Sequence, residues 1–125
     1  MSEESEHWYA RPVFFVADCE GSLRFYTALG FRESWRHADP GGLVAVQVNR
    51  DGAELILNRN AARAGGGRLF LSLERGQVAR CAAAFVRAGI EVRDAHWGMP
   101  VKALRDPDGN DLLFHDADLG DPDSG

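Results

Sequence analysis

The segment LRDPDGNDLLFHD, Leu104 to Asp116, decides the fold. Its DPDG, Asp106–Gly109, has the residues of a type I turn. Asp106 can bond back to the backbone, Pro107 presets φ at the second position, and Gly109 closes the turn. Asn110 then opens a strand. Side chains alternate along a strand, so Asp111, Leu113 and His115 face one way and Leu112, Phe114 and Asp116 the other. The strand raises one question: does it carry a carboxylate for a metal ion, or packing residues?

Upstream of the turn, EVRDAHWGMPVKALRD spells two strands around a Gly-Met-Pro break. GQVARCAAAFVRAGI reads as a helix with Val78, Ala82, Phe85 and Val86 towards the core and Gly89 as terminator. RLFLSLE before it reads as a strand. The first half has the same order. RPVFFVAD (Arg11–Asp18) is β-branched and aromatic, hence a strand. In DCEGSLRFYTALGF, Asp18 is a suitable N-cap with Glu20 near the positive helix end. Leu23, Tyr26 and Leu29 recur at helical spacing, and Gly30 is a suitable C′ residue. FRESWRHA and LVAVQVNRD are strands joined through DPGG, and AELILNRN follows the Asp51-Gly52 hairpin signal. AARAGGG (Ala61–Gly67) reads as a flexible linker.

The halves also rhyme locally, FYTALGFR (Phe25–Arg32) against FVRAGIEV (Phe85–Val92). The repeat predicts an α+β fold of two βαβββ modules, residues 10–60 and 67–117, in one domain over 8–118. The ends, 1–7 and 119–125, are expected to be flexible.

The chain has 125 residues, a formal charge of -5 and a pI near 5.3. That balance argues against sequence-independent nucleic-acid binding, which needs a basic surface. Cys19 and Cys81 belong to no metal-type cluster and fall in helical segments, where cysteine acts as a small apolar residue. The acidic start MSEESEHWYA is unlike a signal peptide, and no apolar run approaches the ~20 residues that span a bilayer. The expectation is a cytoplasmic protein without membrane or nucleic-acid partners.

With PVFFVADCEGSLRFYTALGF early and LRDPDGNDLLF late, the chain resembles the glyoxalase, bleomycin-resistance and extradiol-dioxygenase superfamily, the vicinal oxygen chelate fold. The resemblance implies two βαβββ modules forming a curved mixed sheet, a cup usually completed by a second subunit. It also implies, for metal-dependent members, one ligand on the first and one on the last strand of each module. Carried onto this chain, those positions are Arg11, Glu54, Arg68 and Leu113. Arginine offers a metal no lone pair and leucine has no donor. No metal, no cofactor and no catalytic residue are therefore expected. The resemblance points instead to the metal-free, antibiotic-sequestering branch typified by bleomycin resistance proteins, a homodimer holding a small aromatic or antibiotic-like ligand in its cleft.

The expected ligand-binding residues are Arg11, Phe15, Trp35, Glu54, Arg68, Phe70, Trp97 and Leu113. Phe15 and Phe70 read equally as core. Trp35 and Trp97, both near loops, suit stacking on a planar ligand or a dimer interface. Arg11 and Arg68 suit an acidic ligand group if they face the cup, or solvent and acids such as Glu54 if they do not. His37, His96 and His115 are dispersed. Two enzyme readings stand beside the binder: a metal-dependent lyase, isomerase or oxygenase with an atypical ligand set, and a metal-free enzyme using Glu54 or Asp111 as general base.

Overall fold

The structure, a computed structural model, describes residues 8–116, so the ends expected to be flexible lie outside the described residues. Its order is β1 (Val13–Val16), α1 (Cys19–Ala28), β2 (Arg32–Asp39), β3 (Gly42–Arg50) and β4 (Ala53–Arg59), then β5 (Arg68–Leu73), α2 (Gln77–Arg87), β6 (Arg93–His96), β7 (Pro100–Arg105) and β8 (Asp111–Asp116). The strands form two four-stranded mixed sheets, β1-β4-β3-β2 and β5-β8-β7-β6. In each, the first strand runs parallel to the last and the remaining pairs are antiparallel. The duplicated βαβββ pattern is present.

Local chemistry fixes the boundaries. β1 begins two residues after Arg11 because Pro12 has no N–H to give a ladder; its carbonyl still accepts from Ile56. Asp18 caps α1 by accepting from the Glu20 amide at 3.1 Å. The helix ends at Gly30, whose φ of 93° suits glycine, with Phe31 N–H bonded back to the Tyr26 carbonyl. Gly89, with φ 85°, ends α2 in the same way. Along α2, Val78 and Phe85 are buried and Ala82 is half-buried, but Val86 is exposed. Val86 lies one residue, about 100°, around the helix from Phe85, and Cys81 fills the apolar stripe in its place.

One face of each sheet packs into a core shared by both modules. Phe14, Val16, Tyr26, Leu55 and Leu57 of the first meet Phe85, Leu104, Leu112 and Phe114 of the second. The segment expected as a flexible linker is stitched into this contact instead. Ala61–Arg63 form a short 3-10 turn, Gly65 N–H donates to the Phe15 carbonyl, and Gly66 N–H to the Gly109 carbonyl.

The DPDG turn forms as expected, with Gly109 N–H donating to the Asp106 carbonyl at 3.1 Å. It also clasps the other module. Asp106 is buried; one carboxylate oxygen accepts from the amides of Asp108 and Asn110, the other from Tyr26 Oη at 2.9 Å and Asn110 Nδ2 at 3.0 Å. Asp108 accepts from Ala17 N–H and Ser22 Oγ at the start of α1. The helix motif and the turn motif, far apart in the chain, are one hydrogen-bonded unit.

Candidate ligand-binding face

Strand alternation leaves each sheet a second face, turned away from the shared core. On the first sheet it carries Val13 and Phe15 of β1, Trp35 of β2, Gln47 and Asn49 of β3, and Glu54 of β4, since their neighbours Phe14, Val46, Val48 and Leu55 are core. Gln47 organises this face. Its side-chain oxygen accepts from Trp35 Nε1 at 2.7 Å and from Arg11 Nη1 at 2.8 Å. Its side-chain nitrogen donates to Asn49 Oδ1 at 3.0 Å and to Glu54 Oε1 at 3.3 Å. An amide has two acceptor lone pairs and two N–H donors, so Gln47, only 4% exposed, is fully satisfied.

Arg11 and Glu54, the two first-module positions carried over from the resemblance, are thus bridged by a glutamine. Arg11 also lies over the Tyr9 ring, 5.4 Å from its centroid. Trp35 stands in the middle of β2, not near a loop, and its ring is held by the Gln47 bond while remaining 40% exposed. Phe15 is half-buried, with the Arg63 guanidinium 5.9 Å from its ring centroid.

On the second sheet the corresponding face carries Arg68 and Phe70 of β5, Asp111, Leu113 and His115 of β8, and Ala103 and Arg105 of β7. Leu113 is buried in a small apolar cluster with Val101 and Ala103, against Phe70, Ala95 and Met99. The strand after the turn therefore offers packing at the last carried-over position. Trp97, 54% exposed at the β6–β7 turn, folds back over Phe70, with ring centroids 5.2 Å apart. The His115 ring centroid stands 5.8 Å from that of Phe70. Arg68 is exposed and shares the face of Phe70, two residues away.

The four carried-over positions do not fit a divalent ion: two are guanidinium, one is hydrocarbon, and Glu54 is engaged by Gln47. Among the described residues no group of three or more His, Cys, Asp or Glu comes together as a metal site, so His37, His96 and His115 do not converge as one. A cavity of about 470 Å³ lies elsewhere, between the modules on their helix side, lined by Phe31, Arg50, Leu73, Cys81, Phe85 and others. None of the expected site residues lines it.

Sequence reasoning missed Gln47. Its signal was a polar residue inside LVAVQVN, a strand otherwise apolar at nearly every position. Arg93 and Arg105, which pair with Asp111, were missed because their relevance depends on strand pairing.

Two tandem βαβββ modules, each forming a four-stranded mixed sheet, define a class of small α+β proteins. The profile of the Glyoxalase/Bleomycin resistance protein/Dioxygenase superfamily matches residues 8–114, and the chain belongs to that superfamily. A search of curated sequences finds no relative. Solved structures share the fold. A bleomycin-binding protein from bleomycin-producing Streptomyces verticillus, complexed with copper(II)-bleomycin, superimposes with a TM-score of 0.72 at 18% identity, covering 90% of this chain and 98% of that one. TnmS3, an antibiotic binding protein from a Streptomyces species, gives 0.67 at 24% identity, covering 90% and 98%. A lactoylglutathione lyase from Agrobacterium tumefaciens gives 0.69 at 18% identity, covering 90% and 96%. No helix among the described residues is long and apolar enough to cross a membrane.

Proposed function

We propose that this protein binds a small aromatic, antibiotic-like molecule without a metal and sequesters it, changing no bond. The carrying observation is the Gln47 network: it occupies Arg11 and Glu54 with each other's neighbourhood and leaves the Trp35 ring fixed and open. A ring held in one orientation loses little entropy when a planar ligand stacks on it. Phe70 and Trp97 offer a second such surface. Superfamily members that bind bleomycin and other antibiotics support the reading. A second copy of the chain would complete the cleft, because one exposed sheet face buries only part of a ligand and pockets bury most of it. Cys19 and Cys81 are both free, which suits a reducing compartment, so we place the protein in the cytoplasm.

The test is metal dependence followed by ligand binding. Protein purified without chelating resin should carry well under one metal per chain. Its melting temperature should not respond to nickel, zinc, manganese or ferrous iron. A ligand screen read by Trp35 and Trp97 fluorescence should give hits whose affinity survives Glu54→Ala. One tightly held metal per chain, or loss of all binding in a folded Glu54→Ala protein, would overturn the proposal.

A further inference from the structure

Asp111 accepts from Arg105 Nε at 2.9 Å and lies 3.7 Å from Arg93 Nη2. Strand register places Arg68 directly opposite Asp111 on one side and Arg105 opposite it on the other; Arg93 pairs with Ala103, one step along the same face. Two guanidiniums therefore pair with one carboxylate, and Arg68 stands beside it in strand register. Arg105 takes both carboxylate oxygens, at 2.9 and 3.5 Å, and Arg68 meets no carboxylate among the described residues. This end of the face has a surplus of positive charge although the whole chain is at -5.

The apolar part of the face begins one row further on, with Phe70, Leu113 and Ala103, and Trp97 lies over it. Two residues along a strand span about 6.6 Å, close to the length of a fused bicyclic ring. Arg68, two residues before Phe70 on the same strand face, thus lies at the near end of this apolar row.

Resting on the sequestration reading above, we infer that the ligand is an aromatic acid: a planar ring on Phe70 and Trp97 with a carboxylate or other anionic group held by Arg68 and Arg93. Guanidinium presents a planar fork that matches a carboxylate, and such charge-assisted pairs are the stronger hydrogen bonds. A cationic ligand meets repulsion at this end instead.

The experiment uses three probes with one ring and three charges: 2-naphthoate, 2-naphthamide and 2-(aminomethyl)naphthalene. Binding to the full chain is followed by Trp fluorescence and calorimetry. The carboxylate should bind about tenfold or more tighter than the amide, as one charge-assisted contact provides, and the amine should bind weakest. Added salt should weaken the carboxylate and leave the amide unchanged. Arg68→Met, at an exposed position, should bring the carboxylate down to the amide. Asp111→Asn should tighten the carboxylate by releasing Arg93 and Arg105, a gain that a merely structural Asp111 would not give. Equal binding of carboxylate and amide, tightest binding of the amine, or weaker carboxylate binding in a folded Asp111→Asn protein overturns this inference and leaves the sequestration proposal standing. No binding by any of the three likewise overturns this inference, and the metal and ligand-screen test above decides the sequestration proposal separately.

Discussion

A buried carboxylate is tolerated only when its lone pairs are met, and Asp106 is the clearest case here. Two amides of its own turn and two side chains donate to it, one of them Tyr26 from the first module. Removing the phenol leaves a buried carboxylate short of a donor. Tyr26→Phe should therefore cost about 1–3 kcal/mol in urea unfolding. Burial, and next the charge of Asp106, push the Tyr26 phenol far above its ordinary value. The unfolded chain gives up that proton near pH 10, its ordinary range, while the folded chain keeps it. The stabilisation is then fully present below about pH 10 and is lost as pH rises beyond it. Melting temperatures from pH 8 to 11 should fall steeply for the natural protein and more gently for Tyr26→Phe; parallel curves would refute the assignment. The capping half of Asp106's role is legible in DPDG. Its bond to Tyr26 is not, because nothing local in the chain links residues 80 apart.

Among the elements, the entry to β5 shows how close approach selects residues. A methyl group on Gly67 would lie 2.6 Å from the Phe14 ring and 2.8 Å from Asn110 Oδ1. One on Gly65 would lie 2.3 Å from the Asp108 carbonyl oxygen, at a φ of 91° that already favours glycine. Gly67→Ala forces Phe14 or the Asn110 amide aside in a packed core and should destabilise by about 1–3 kcal/mol. A neutral effect in thermal melts would mean the modules meet more loosely than described. Gly-Gly-Gly in the sequence reads as flexibility. The structure shows room made for a neighbouring module, and composition cannot separate the two. Phe85 and Val86 carry the same lesson: both are apolar, and the turn of α2 buries one and exposes the other.

For the whole molecule, the open question is what covers the outer faces. Val13, Trp35 and Trp97 are large apolar residues left exposed there. Exposed tryptophans suit a protein interface, where aromatic residues are enriched. We expect a homodimer, with a mass in sedimentation equilibrium of twice 13.7 kDa. In it, Trp97 should be less accessible to acrylamide than in a dilute monomer. A strict monomer at high concentration would remove the cleft from the functional proposal, though not the ring surfaces themselves.

The sequence alone determined the order of elements, the duplicated module, the turn at DPDG and the two-sided reading of β8. Each rests on contacts between near neighbours in the chain: turn residues, helix caps and strand alternation. It also showed that three of the four inherited metal positions lack a donor, since that is a matter of residue identity. Only the tertiary structure decided that Gln47 joins Arg11 to Glu54, that Tyr26 completes Asp106, and that Arg93 and Arg105 share a single carboxylate. Those groupings follow from which strand lies beside which. Parallel pairing of β5 with β8 sets Arg68 against Asp111, and a one-residue slip of that register would turn every side chain to the other face.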